Sequence, residues 1–600
     1  MYLDSTLTQL ERAQLVRQLN DVEATYQFRH TLTQETIYQS LLRTTRREIH
    51  LRVAQSLEIL VADHLDEFAA LLAQHYGEAG DDAKTFEHAL RAGDVAARVY
   101  AHAEAEMHYA RAIESGSHPE RSPERKSKEA ESKDATQLKN VYLKRGRVLE
   151  LSARYDDADV NYLELETRGR AQNQRALELA ALLARATLHA TPTARYDLGL
   201  AQELLGRALA LARELDDPAA EAKTLWSLML VNYFQSNFDQ AIALGEQSLA
   251  LARQLDAREQ MAYALHDLSR NYIARGRADE GRAAITQARA LWRELDNLPM
   301  LADNLATSAE GCFFLGEFSA ARAFADEAYQ ISITIGNLWN QAYSRWTLGY
   351  LALETGEITE GIRALRDAVE VGKQSGFIAA MYVAQGMLGW AIGLLGDLQQ
   401  GIAIVQAIPH EQTISIGFRS WHLGVLAQLH LLNGELAQAE TIVARAYIGL
   451  DLNDLTWFSP IFVMLADGEI AITRGEPARA IALADRLLAR IRELKMRPFV
   501  FDVLLLKGKA LRALNDLDAA RACLIAARED ARDLGVRRSL WEILAVLSAV
   551  ETARGDAVSA RAARDQAREI VAHIAAHAPP ELRDAFLGQS AVRMILADAN

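Results

Sequence analysis

Apolar residues recur at helical spacing along most of the chain, interrupted by short turns that carry Gly, Asn or Ser, usually with an acidic residue close behind. The turns read SNFDQA, GRADEG, GEFSAA, GEITEG, GDLQQG, GELAQA, GEPARA, NDLDAA and GDAVSA. They begin at Ser236, Gly276, Gly316, Gly356, Gly396, Gly434, Gly475, Asn515 and Gly555, with gaps of 40, 40, 40, 40, 38, 41, 40 and 40 residues. Weaker units with turns at Ala153 and Tyr196 bring the total to eleven. Five residues after each turn residue stand Ala158, Ala201, Ala241, Gly281, Ala321, Gly361, Gly401, Ala439, Ala480, Ala520 and Ala560, every one Ala or Gly.

This pattern predicts one helix pair per repeat. Gly or Asn adopts the left-handed cap of the first helix at little cost, and the acidic residue beside it faces the positive end of the second. The small residue lets the two helices approach. Seven positions on, Ala208, Ala288, Ala328, Ala368, Ala446, Ala527 and Ala567 extend the same face. A single pair cannot bury its apolar stripe, so neighbours must stack, and the prediction is an all-α superhelical solenoid with a curved, extended body.

One segment competes with this reading. Phe377 to Gly396, FIAAMYVAQGMLGWAIGLLG, is apolar enough for hydropathy to flag it as a membrane span. It falls in register with the repeat and carries four glycines, which suits a core helix packed on several sides.

Composition narrows the functional classes. Only 11 Pro occur in 600 residues with 50% hydrophobic content, which argues for helix and a large buried core. A net charge of −15 with no basic face excludes direct nucleic-acid binding. Cys312 and Cys523 lack metal-site or disulfide spacing, and the N-terminus lacks a secretory signal, so a reducing, cytoplasmic location is expected. Residues 116–137, GSHPERSPERKSKEAESKDATQ, hold no apolar side chain larger than Ala and read as a flexible charged linker.

The repeat resembles the tetratricopeptide repeat, most clearly in Leu348-Gly349, Gly356-Glu357, Gly361-Ile362 and Ala368, over about residues 138–575. Its 40-residue period exceeds the family's usual ~34 and is similar to the sensor superhelix of bacterial STAND-class signal-transduction ATPases, the maltose-regulon activator type. The resemblance implies a right-handed superhelix. The N-terminal run Tyr26, Phe28, Arg29, His30, Leu32, Glu35, Tyr38, Leu41, Leu42, Arg47, His50, Ala54 and Leu57 looks like the end of the winged-helix module in those ATPases. The expected organisation is a winged-helix remnant at 1–60, a helical junction at 61–115, the linker at 116–137, the superhelix at 138–575 and a closing segment at 576–600. Pro580-Glu581-Leu582-Arg583 with Phe586-Leu587 resembles the end of such proteins, so a complete C-terminus is expected.

The family's P-loop has no counterpart here. GxxxxGK[ST] does not occur, and Gly372-Lys373-Gln374 and Gly508-Lys509-Ala510 lack the earlier Gly and the hydroxyl. Neither HExxH, a Cys/His cluster nor GxSxG is present. The expectation is therefore no catalysis, no metal and no cofactor. By resemblance alone, His30 corresponds to a nucleotide-sensing histidine, with Thr31 in place of the aspartate that often follows it.

In tetratricopeptide units the first helix lines the concave face, through positions 13, 10, 6 and 3 before the turn residue. These offsets select Trp226, Tyr233, His266, Arg270, Tyr343, Trp346, Tyr350, Trp390 and Trp421 as candidate ligand-binding residues. A row of aromatics beside charged groups suits a peptide or small ligand. The same spacing also suits plain core packing between tight superhelical turns, and the sequence leaves both open. The expected function is a non-catalytic regulatory sensor or scaffold that binds a protein, peptide or small effector and relays it to a signalling ATPase in trans. The alternative is the rear half of a split ATP-dependent transcription regulator or cyclase-linked signalling enzyme.

Overall fold

The computed structural model describes residues 2–19, 25–116, 128–409, 415–450 and 460–597, and they fall into two compact units that divide after Ser152. The first unit begins with α1 (Tyr2–Arg12) and the strands β1 (Val16–Leu19) and β2 (Thr25–Phe28), an antiparallel hairpin in which Val16 faces Phe28. Helices α2 (Thr31–Ser40), α3 (Arg43–Leu60), α4 (Leu65–Ala79), α5 (Asp82–Arg98), α6 (His102–Gly116) and α7 (Lys128–Leu151) follow. Ala54, Leu72 and Tyr76 hold α3 to α4, whereas Leu32, Leu42, Ile59 and Leu60 are exposed.

The expected linker is only partly within this description. Residues 117–127 lie outside the described residues, and 128–137 form the first turns of α7. α7 belongs to the first unit and packs on α6, and the second unit opens with α8. Ten of the eleven expected pairs lie wholly in the second unit.

That unit runs α8 (Tyr155–Ala171), α9 (Arg175–Ala190), α10 (Leu198–Glu214), α11 (Pro218–Phe234), α12 (Phe238–Gln254), α13 (Arg258–Ala274) and α14 (Ala278–Glu294). It continues through α15 (Leu298–Phe314), α16 (Phe318–Thr334), α17 (Leu338–Thr355), α18 (Ile358–Ser375), α19 (Ile378–Leu394), α20 (Leu398–Gln406), α21 (Ile416–Leu432) and α22 (Leu436–Tyr447). The last helices are α23 (Ile461–Thr473), α24 (Pro477–Glu493), α25 (Val500–Ala513), α26 (Leu517–Asp533), α27 (Leu540–Ala553), α28 (Ala557–His577), α29 (Pro580–Gly588) and α30 (Ser590–Leu596).

The small residues do what their spacing predicts. All eleven Ala or Gly positions after the turns are buried, and a Cβ on Gly401 would come within 2.6 Å of the Gly389 carbonyl oxygen across the pair α19/α20. Ten of the eleven turn residues have positive φ; Tyr196 does not, because Thr191–Asp197 forms a longer loop there. A second left-handed series, Asp216, Asp256, Asp296, Gly336 and Gly376, marks the returns between pairs. The apolar segment forms α19, buried on most sides by α17, α18, α20 and α21. Among the described residues no helix is long and apolar enough to cross a membrane.

The superhelix is wound tightly, and this corrects the expectation of an extended body. The Tyr155 hydroxyl donates to the Ser375 carbonyl 220 residues away, and Lys495 pairs with Asp279 at a separation of 216. Thr359 donates to the His577 carbonyl and the Gln589 amide to that of Leu394, 218 and 195 residues apart. Against a 40-residue repeat, such separations put about five repeats in one superhelical turn, with successive turns in contact.

Candidate functional site

The inner helices α11, α13, α15 and α17 bring polar groups together beneath the first turn. The Arg270 guanidinium donates to the Thr307 hydroxyl at 2.5 Å and to the Tyr343 hydroxyl at 3.3 Å, and lies 5.7 Å over the Tyr343 ring. Tyr343 donates a short hydrogen bond to Glu310. His266 Nε2 stands 3.1 Å from Thr307 Oγ1 and 3.4 Å from Asp303, and the Trp226 indole N–H donates to Asp267 at 2.8 Å. Burial drives the titrations here. It pushes Asp267 up to about 6, against the opposing Arg270 charge and Trp226 hydrogen bond, and raises Glu310. Burial, with the Arg270 and Arg289 charges, holds His266 well below its ordinary value, so it is neutral at pH 7.

Of the nine candidate groove residues, Tyr233 and Arg270 retain part of their surface, while the other seven are 7% exposed or less. Tyr350 lies edge-on to Trp390 at 6.4 Å, and Trp390 and Trp421 both meet the edge of Phe462, at 5.5 and 6.0 Å. Trp346 stacks on Tyr343 at 6.2 Å. Adjoining repeats account for much of this burial, as where Trp226 packs on Tyr263, and Arg538, from much further along the chain, covers Trp390. An open groove is thus not what these residues line; seven of them are packed interior. His30 stands apart, exposed at the start of α2, where its side chain makes no capping bond.

A cavity opens inside the C-terminal half. It has a volume of 370 Å³ and lies between α17, α19, α21, α23, α25, α27, α28 and α29. Its apolar wall includes Leu353, Trp390, Phe462, Leu506, Trp541 and Phe586. Its polar wall is built from shared ion pairs. Lys509 Nζ sits 2.8 Å from Glu469 and 2.6 Å from Glu542, while Arg538 reaches Glu354 at 2.8 Å and Asp502 at 2.7 Å. The Ser539 hydroxyl donates to Asp502 at 2.6 Å, and the Arg538 guanidinium lies 4.7 Å over Trp390. Burial alone would lower Lys509, but the two glutamates outweigh it and hold the ammonium charged. Burial raises Glu354 to about 7 despite Arg538.

Trp390 is the one sequence-selected residue on this wall. The others were reachable by the same rule. Carried into the last repeats, the offsets from Gly434, Gly475, Asn515 and Gly555 include Gln428, Phe462, Leu465, Glu469, Asp502, Leu505, Lys509 and Glu542, which border the cavity, along with others such as Ile472 and Arg512 that do not. Glu354 and Arg538 fall off that register, and no sequence signal joins them.

No protein-family model matches the sequence, and no curated protein matches it. Among solved structures, the chain is similar to a Rap protein complexed with competence and sporulation factor, at 12% identity and a TM-score of 0.46 over 61% of this chain and 97% of that one. It is also similar to the APC/C hetero-tetramer Cut9-Hcn1, at 14% identity and a TM-score of 0.30, over 84% of this chain and 96% of that chain. A third similar structure is a signal transduction ATPase with numerous domains that carries a tetratricopeptide repeat sensor, from Pyrococcus horikoshii. That likeness has 11% identity and a TM-score of 0.35, and spans 57% of this chain and 52% of that one.

Proposed function

We propose that this chain is a non-catalytic regulatory scaffold of the tetratricopeptide type, which binds an effector inside the superhelix and passes its occupancy to a signalling ATPase acting in trans. The observation that carries the reading is the cavity beside the Glu354–Arg538 pair. Arg538 borders the cavity and ties α27 to the end of α17, one superhelical turn earlier, so a ligand against Arg538 bears on the contact between turns. A bound state that favours one spacing of the turns would shift the whole body's winding.

The first unit supplies a surface for the relay. Leu32 and Leu42 are 77% and 75% exposed on or beside α2, an apolar exposure suited to a protein partner. A complex formed there with a P-loop ATPase would make a complete nucleotide switch from two chains. The test is titration of the purified chain into such an ATPase while nucleotide hydrolysis is followed. A saturable change in rate, lost in the Leu32→Asp/Leu42→Asp variant, supports the proposal. A rate indifferent to the chain rejects it.

A further inference from the structure

We propose that the interior cavity of the C-terminal half is a binding site for a cationic ligand with an apolar body, an amine or guanidine carrying an aromatic or aliphatic group. The inference rests on the reading of the superhelix as an effector-binding scaffold and names the chemical class of that effector.

The charge balance of the wall comes first. Three carboxylates line the cavity, Glu469, Asp502 and Glu542, beside two cations, Lys509 and Arg538, and Arg538 is also shared with Glu354, which does not line it. Each cation is divided between two acids, so both are fully committed while the acids carry charge in excess. An anionic ligand would have to take a cation away from two partners. A cationic ligand meets acids whose lone pairs are only partly used. A positive ligand group would offset that excess.

Position adds direction. Glu469 and Glu542 keep 36% and 40% of their side-chain surface, and Thr473 and Leu432 beside them are exposed, so the acids stand at the accessible side. The deep side is aromatic and aliphatic. A ligand entering there would leave its charged end between Glu469 and Glu542 and send its apolar end toward Trp390, Phe462 and Phe586. Trp390 points to a ligand, though not to the sign of its charge: it is 4% exposed, it lines the cavity, and its indole N–H has no acceptor among the described residues. Buried donors are rarely left so. The volume, 370 Å³, is that of a small-molecule pocket and too small for a folded partner.

Three near-isosteric probes test the inference on the full chain: phenethylamine, phenethyl alcohol and phenylacetate, each titrated by calorimetry and by tryptophan fluorescence. The amine is expected to bind about tenfold more tightly than the alcohol, with phenylacetate weakest. Glu542→Gln and Glu469→Gln, at partly exposed positions that tolerate the change, should each weaken the amine about fivefold and leave the alcohol unchanged. Ala391→Leu, which fills the cavity, should weaken both. Equal binding of the three probes, or preference for phenylacetate, overturns the cationic class while leaving interior binding intact. Amine binding that ignores both glutamine variants also overturns it. If none of the probes binds, the inference fails, and the ATPase titration decides the proposed function separately.

Discussion

Glu354 and Arg538 lie 184 residues apart in the chain and 2.8 Å apart in space. The arginine side chain divides itself between Glu354 and Asp502, and the backbone amide of Arg537 donates to the Glu354 carbonyl at 2.8 Å, so one residue at the end of α17 receives both main-chain and side-chain bonds from the following superhelical turn. Both side chains of the pair are deeply buried, at 13% and 1% exposure. Removing one partner leaves the other uncompensated.

Arg538→Met is therefore expected to destabilise the second unit by ~3–5 kcal/mol, measured by chemical denaturation. Adding Glu354→Gln to that variant should restore part of the loss, because the orphaned carboxylate disappears. Equal losses in the single and double variants would show that the pair is not coupled.

Stability should depend on pH through Glu354. Its carboxyl is raised by burial to about 7, above its ordinary 4.5, so the folded state holds the proton over an interval where the unfolded state has released it. The contribution is fully present below about 4.5 and is lost as pH climbs through about 7. Thermal melting across that interval should show a fall with rising pH that Glu354→Gln flattens.

Two glycines with similar backbone angles should respond differently to alanine. Gly396 and Gly475 have φ of 98° and 79°, and both pay the left-handed strain of ~1–2 kcal/mol on substitution. A Cβ at Gly396 would also approach the Ala585 carbonyl oxygen to 2.6 Å, while one at Gly475 meets nothing within 4 Å. Gly396→Ala should lower the melting temperature well beyond Gly475→Ala.

Trp346→Ala should act as a core deletion. The side chain is 5% exposed and lies outside the cavity wall, so the expected cost is ~3–5 kcal/mol of stability with no selective effect on probe affinity. A weakened phenethylamine titration with unchanged melting would contradict this placement.

The helix pairs were legible because their determinants are local. A left-handed turn residue and a small residue five positions later act within one repeat, and Ala321, Ala439 and Ala520 are each 0% exposed as that spacing requires. The returns at Asp216, Asp256 and Asp296 were equally local, but Asp is a common surface residue and its positive φ leaves no compositional mark. The candidate site was only half legible. Inner-face offsets identify Trp390 and Glu469 as inward-facing positions, yet the cover that Arg538 places over Trp390 comes from 148 residues further along the chain and is invisible to a local pattern. The pitch that brings Arg538 to Glu354 is the sum of many small interhelix angles, and no single residue encodes it.

The stacking of turns also restricts how such a chain can change in length. In an open array, a duplicated or deleted unit leaves every remaining neighbour in place. Here Gly276 rests against Leu494, Gly316 against Leu534 and Gly356 against His573, at separations of 218, 218 and 217 residues, a register repeated along the seam. Gain or loss of one 40-residue unit between the two sides would slide every one of these glycines against the wrong partner at once. Unit number across the seam is thereby locked, and lineages carrying this architecture should vary in length at the ends of the array before they vary within it.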